Sequence, residues 1–431
     1  MKTHSFLLLV RTAGVWLIAC WTGGEAFTTQ PSVVSRTSAK PRAATFGRQQ
    51  DDVVSSAGPS FLQATAAPVI VTPDEEQYTD FRGHKVYSAI FQGNPQKPTV
   101  VLVHGFGVSN YYWRETIQAL QQEDYTVHAI DLLGQGQSAK PGRKDGIEYS
   151  INLWAEQLDQ YVASQANKKK KSMDNIVLMG NSLGSLVCLA AATGDFVNNT
   201  ATTTDSSPFI SSRIRGLCMF NCAVGMNARA ILDDYTGFQK TFFTAVFDLV
   251  DALIFGNIPL LTYVLEKVVT PELLRNALVG LYALAENPQE RVDDALVNSV
   301  YQPAKDPGSP ETLSQIYTNP PGKTLMEICA AHPSFLKSVP LHLVWGRQDN
   351  VTPLDGPVGR FFQQLANDDQ TPLVTLETVN AGHVPFDEVP LCNESMVKWL
   401  KDSVDTSTAK TAASSKPFAP FAGFKLPFST S

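Results

Sequence analysis

The 431-residue chain has no H-E-x-x-H motif, no zinc-type cysteine pairing and no phosphate loop ending in Gly-Lys-Ser/Thr, so its sequence implies no metal and no cofactor. Positive charge is sparse. The formal net charge is −7, and the only basic run, 168–171, falls between a helix-like and a strand-like stretch and reads as a solvated loop. Nucleic acid is therefore not an expected partner. The six cysteines (Cys20, Cys188, Cys218, Cys222, Cys329 and Cys392) show no metal spacing, and Cys20 lies in a leader-like segment. Most of the other five sit in or near apolar runs, which fits buried free thiols better than a disulfide framework. Beyond the N-terminal leader, no span has the roughly 18 uninterrupted apolar residues of a membrane-crossing helix. The nearest, 241–264, is broken by Asp248, Asp251 and Pro259.

What is present is ample apolar matter: 43% of residues are hydrophobic and 17% charged, enough for a sizeable buried core. The N-terminus is different. Lys2 and Arg11 flank and interrupt apolar runs at 6–10 and 15–21, and small residues lead to Ala26, so 1–26 resembles a secretory signal peptide. From 27 to 50 there is no Asp or Glu, while Arg36, Lys40, Arg42 and Arg48 stand among Ser and Thr, a transit-peptide composition. The pair resembles the bipartite presequences of algae with secondary plastids, which implies a plastid destination; the secretory pathway is the alternative. Segments 27–68 and 404–431 are expected to be disordered.

From about residue 70, short β-branched runs alternate with helix-like stretches, the trace of a mostly parallel sheet covered on both faces. Strands are expected over 99–103, 126–131, 175–179, 213–220, 340–345 and 373–378. A crossover helix is expected over 151–166, where Leu153, Trp154, Leu158 and Tyr161 recur at helical spacing. The stretch 198–212, rich in Thr, Ser and Asn, reads as a surface loop. Residues 69–226 and 338–403 form the expected α/β core. The intervening 227–337 is far too long for a connection, and its helical pattern predicts a cap over the carboxyl edge of the sheet.

Four short motifs carry chemistry. Gly180-Asn181-Ser182-Leu183-Gly184 follows an apolar strand and opens a helix-compatible run, the context of a G-x-S-x-G nucleophile elbow. A serine hydroxyl needs a histidine to take its proton and a carboxylate to orient that histidine. Asp349, after Trp345-Gly346-Arg347-Gln348, and His383, after Gly382, follow consecutive strands in the order serine, acid, histidine. His104-Gly105-Phe106-Gly107 follows the strand at 99–103, and the backbone N–H groups of Phe106 and Leu183 are the expected oxyanion donors. Gly134-Gln135-Gly136-Gln137-Ser138-Ala139 imitates a dinucleotide fingerprint, but Pro141 stands where the helix of such a unit should run. Asp131 is read as tying down that loop.

These motifs, with 129–138 and Gly382-His383-Val384-Pro385, resemble the α/β-hydrolase family over about 98–400. Within it, Gly105-Phe106-Gly107-Val108, 131–138, Gly180 to Gly184 and Asn221 are most similar to the plastid branch of pheophytinase and chlorophyll dephytylase. Ser185 stands where that branch leads one to expect glycine, and the 198–212 insert departs from its compact form. The resemblance implies an α/β-hydrolase fold, a Ser182-Asp349-His383 triad and hydrolysis of a lipophilic ester such as a chlorophyll phytyl ester. It also implies peripheral contact with a thylakoid or other plastid membrane. A lipase or esterase of other specificity, or a carbon–carbon hydrolase or lyase, uses the same triad. A binding protein without activity would be expected to have lost a triad member.

Overall fold

The computed structural model describes residues 71–168, 173–199, 208–227, 229, 232, 236–283 and 288–405. The leader segments, the middle of the 198–212 loop, most of the basic run and nearly all of the tail lie outside the described residues. Eight strands make one sheet in the order β1-β2-β4-β3-β5-β6-β7-β8. They are β1 Glu75–Phe81, β2 His84–Phe91, β3 Thr99–Val103, β4 Val127–Ile130, β5 Ile176–Asn181, β6 Ile214–Phe220, β7 Leu341–Gly346 and β8 Val374–Val379. From β4 to β8 every pairing is parallel, whereas β2 runs antiparallel to both β1 and β4.

The central strands β3, β4, β5 and β7 are buried at every position because both faces are covered. In β3, Val101 and Val103 join one core with Leu158 and Val162 of α2 (Ile151–Lys168) and Leu186 and Val187 of α3 (Leu183–Thr193). The alternate residues Val100 and Leu102 join the other core, with Ile117 and Leu120 of α1 (Arg114–Gln122). Successive side chains on a strand point to opposite faces, so one apolar run feeds both cores.

The β1–β2 hairpin is a correction: no strand was expected before residue 99. Its signal is weak because β1 is an edge strand whose Glu75, Glu76 and Asp80 face solvent. Its tight turn is made by Arg82 and Gly83 with φ of 53° and 82°, without the usual Asn-Gly pair. At the other end, the chain stays ordered in the core to Asp405, two residues past the expected limit. Val404 is fully buried, and the Tyr125 hydroxyl donates to Asp405 Oδ2 at 2.7 Å.

Between β6 and β7 the described chain is helical: α4 Gly237–Val250, α5 Ile258–Tyr263, α6 Pro271–Val279, α7 Asp294–Ala304 and α8 Ser309–Thr318 precede two further helices. The first of those, Leu325–Ala331, puts Leu325, Met326 and Ile328 into the same core as α3. The five cysteines among the described residues are buried and free of disulfides.

Candidate active site

β3 and β5 are neighbours in the sheet, and the connection leaving β3 runs to β4 on one side while the connection leaving β5 runs to β6 on the other. In open α/β sheets the crevice at such a reversal, outside the carboxyl strand ends, is where ligands bind. The loop after β3 and the turn after β5 meet there: a Cβ on Gly105 would lie 3.3 Å from Cβ of Ser182.

Ser182 holds φ 52° and ψ −118°, a strained conformation for a residue with a side chain. Hydrogen bonds pin it. Its N–H donates to Phe220 O at 2.9 Å, and its carbonyl accepts from Ser185 at 3.0 Å and Ala223 at 3.2 Å. The turn is tight enough that a side chain at Gly180 would run into the Gly184 carbonyl, and one at Gly184 into that of Val103. Ser185 is itself a stitch, its hydroxyl donating to Gly180 O at 2.7 Å. The serine that departs from the expected glycine therefore holds the elbow shut. Ser182 is half-buried at the N-terminus of α3, where the helix dipole favours negative charge.

His383 and Asp349 come together although 34 residues separate them: Nδ1 of the ring lies 2.9 Å from Oδ2 of the carboxylate. Burial alone pushes the Asp349 carboxyl up, but the His383 ring and hydrogen bonds from Thr352 and Asn221 outweigh it and bring the group down to about 2. An ionised carboxylate only accepts, so Nδ1 is the donor in this bond, and in a neutral ring Nε2 is then the acceptor. Asp349 also accepts from Asn221 Nδ2 at 2.5 Å, Thr352 Oγ1 at 2.6 Å and the amides of Val351 at 2.7 Å and Thr352 at 3.0 Å. The His383 loop is tied to the elbow, since Asn181 Nδ2 donates to the His383 carbonyl at 3.3 Å. The Ser182 hydroxyl makes no helix-capping bond, and the ring's hydrogen bond is the one to Asp349.

The other histidine near the site is committed elsewhere. His104 donates from Nδ1 to Gly105 O at 2.7 Å and accepts at Nε2 from Leu132 N–H at 3.1 Å, so neither nitrogen is available as a base. Burial holds its pKa below the usual range. It shapes the loop that carries Phe106, and Gln135 Oε1 anchors the same loop by accepting from Gly107 N–H at 2.6 Å. Asp131 ties the following loop, accepting from the amides of Asn110 and Gln137, each at 2.7 Å. Among the backbone hydrogen bonds of loops and turns in the described residues, neither the Phe106 nor the Leu183 amide has an acceptor.

Three supports escaped the sequence reading. Thr352 gives Asp349 two hydrogen bonds. Glu388 accepts from Gly382 N–H at 2.7 Å and from Ala283 N–H at 3.0 Å, bracing the histidine loop against the insertion, while His383 N–H donates to Leu281 O at 2.8 Å. Beneath them Asp387 accepts from Arg114 Nε at 3.0 Å and the Tyr282 hydroxyl at 2.6 Å, and Arg114 also reaches Asp293 at 2.8 Å. Only Thr352, three residues from Asp349, carried a local signal, as an Asx-type turn partner.

An apolar cavity opens beside Phe106 and Gly107, walled by Val264, Leu265, Val269, Leu274, Val300 and Leu313. Tyr317 closes it, edge-on to Phe106 at 5.6 Å and stacked on Phe255 at 3.9 Å. Among the described residues no cluster of three or more His, Cys, Asp or Glu side chains is placed to hold a metal ion.

Residues 100–391 match the model of the alpha/beta hydrolase family. Over 124 residues the chain is 31% identical to a probable lysophospholipase, BODYGUARD 4, of Arabidopsis thaliana, covering 28% of each protein. Over 120 residues it is 32% identical to a pimeloyl-[acyl-carrier protein] methyl ester esterase of Vibrio atlanticus, covering 27% of this chain and 40% of the other. The match thus spans less than half the length of these curated relatives. Among solved structures, a thermophilic esterase from Thermogutta terrifontis superposes with a TM-score of 0.51 at 18% identity, over 77% of this chain and 99% of the other. A putative acyltransferase from Salmonella enterica gives 0.52 at 19% identity, over 78% and 98%. The fold is that of the α/β hydrolases.

Proposed function

Because the chain belongs to the alpha/beta hydrolase family, we propose that it is a serine hydrolase that cleaves a lipophilic carboxylic ester, with Ser182, Asp349 and His383 as its triad. The observation that carries this reading is the 2.9 Å bond between His383 Nδ1 and Asp349 Oδ2, made on the rim where Ser182 occupies its strained turn.

Nε2 of His383 takes the Ser182 proton as Oγ attacks the ester carbonyl, and the buried Asp349 carboxylate stabilises the imidazolium that results. The amides of Phe106 and Leu183 receive the developing oxyanion, aided by the N-terminus of α3. His383 returns the proton to the departing alcohol, leaving an acyl group on Ser182. A water activated by Nε2 then releases the acid and restores the serine.

The 227–337 insertion acts as a cap whose apolar cavity holds a hydrocarbon chain away from water. A phytyl ester of a chlorophyll-type pigment suits such a cavity, and so does a fatty acyl chain. The similarity to a probable lysophospholipase and to a methyl ester esterase supports the second reading, a lipase or esterase of other specificity. We place the protein in the plastid on the strength of its leader, in peripheral contact with a membrane that supplies the ester. The deciding experiment offers the purified protein pheophytin, chlorophyll, galactolipids and short acyl esters side by side. Free phytol supports the pigment reading; hydrolysis of acyl esters with no phytol from any pigment selects the lipase reading.

A further inference from the structure

We propose that the outer face of the bent α4–α5 helix pair in the insertion is a lipid-bilayer docking surface that delivers hydrocarbon chains to the cavity beside Phe106. Phe238, Phe242, Val246, Leu249 and Leu253 recur at intervals of four, four, three and four residues, which puts them in one stripe along a helix. The periodicity is that of a buried face, but the orientation is reversed. Phe238 is 83% exposed, Leu249 58% and Leu253 59%, while Phe247 and Phe255 point inward. Across the bend, Leu260 and Tyr263 continue the exposed patch and Leu261 is fully buried. Large apolar side chains exposed together along one face mark an interaction site.

Three observations select a bilayer as the occupant. First, charge on the helix pair is scarce and cancelled where it is acidic: in 237–263 the only carboxylates are Asp248 and Asp251, and Arg229 pairs with both. That lowers the cost of bringing the face to a lipid surface. Second, Gly237–Phe255 and Ile258–Val268 together are long and apolar enough to pass for a membrane span, but they bend by 62°, and no single helix among the described residues is long and apolar enough to cross. A pair so bent, with its apolar residues on one outer face, suits the interface plane with that face in the acyl region. Third, the patch continues into the cavity: beyond exposed Tyr263, Val264 and Leu265 are themselves cavity wall, opposite Phe106 and Gly107. A protein partner could cover the outer face; a bilayer covers it and also supplies a mobile hydrocarbon chain for the cavity behind it.

The inference rests on the lipid-ester reading for its purpose, but its test does not depend on turnover. In full-length protein, Phe242→Trp is mixed with phosphatidylcholine vesicles, plain or galactolipid-containing, made with and without brominated acyl chains. Emission in excess of the wild-type tryptophan background is expected to be quenched by the brominated lipid. The double variant Leu249→Glu with Leu253→Glu is expected to lose at least tenfold in vesicle partitioning, with its melting midpoint and short-ester hydrolysis unchanged. The quench reports the patch itself, so binding through the N-terminal leader alone leaves it absent and overturns the proposal. Vesicle partitioning unaffected by the double variant overturns it too, as does a wild-type dimer that the variant converts to monomer without any lipid contact. Ser182→Ala is expected to bind vesicles like the wild type. If that variant still hydrolyses esters, the triad reading fails while the docking surface stands.

Discussion

Asn221, at a backbone φ of 43°, gives its Nδ2–H to Oδ2 of Asp349 at 2.5 Å and accepts from Gly346 N–H at 3.2 Å. One side chain thereby ties the ends of β6 and β7 together, and Nδ2 also lies 3.3 Å from the Gly382 carbonyl on the histidine loop. Replacing it with alanine leaves a buried carboxylate short of a donor, which costs about 1–3 kcal/mol. Asn221→Ala is expected to lower the melting midpoint and to reduce kcat/KM about tenfold or more, since each ~1.4 kcal/mol of lost transition-state stabilisation is tenfold. Steady-state kinetics on a short ester checks this.

The Asp349 carboxyl sets an acid limit on stability. Its folded value of about 2 lies below the ~3.9 of an unfolded aspartate. A depressed carboxyl contributes stability that is fully present above the unfolded value and is lost as pH falls from about 4 through about 2. Urea midpoints measured across that window are expected to fall more steeply for the wild type than for Asp349→Asn, which lacks the titrating group.

The elbow has no room for a methyl group. At Gly184 the added Cβ meets the Val103 carbonyl, a backbone atom that cannot rotate away. Gly184→Ala is expected to cost about 1–3 kcal/mol through overpacking and to abolish turnover, because α3 must move away from the end of β3 to admit it. Gly146→Ala, at a glycine with no heavy atom near the added Cβ but with φ 78°, is expected to lose stability and keep activity. Thermal melts and ester turnover separate the two.

Arg114 is the keystone under the histidine loop. Its side chain is 3% exposed, and it joins α1 to Asp387, four residues past His383, and to Asp293 of the insertion. Removing one partner of a buried ion pair costs about 3–5 kcal/mol, since the other charge stays buried. Arg114→Met is expected to destabilise by that order, and Arg114→Met with Asp387→Asn to recover part of the loss. A double-mutant cycle on chemical denaturation measures the coupling.

The legible parts of this sequence are those where one residue type answers to one demand. β3 was readable to the residue because a strand buried on both faces must be apolar at every position. Ser182, Asp349 and His383 stood out because each follows a strand at the same edge of the sheet. The β1–β2 hairpin was not legible, since its outward residues are polar and its turn uses Arg82. The supports of the site were hidden for another reason: Asn221 and Asp349 are 128 residues apart, and Arg114 and Asp387 are 273 apart. Such pairs exist only after the chain has folded. The stripe from Phe238 to Leu253 shows a further limit, because periodicity reveals an apolar face but not whether it turns toward protein or solvent.

The most direct test of the account is covalent. Wild-type protein treated with a fluorophosphonate is predicted to gain one adduct, mapped by peptide mass spectrometry to Ser182, and Ser182→Ala is predicted to gain none and to lose ester turnover. Labelling of the alanine variant equal to that of the wild type, or an adduct mapped to another residue while Ser182 stays unmodified, would contradict it.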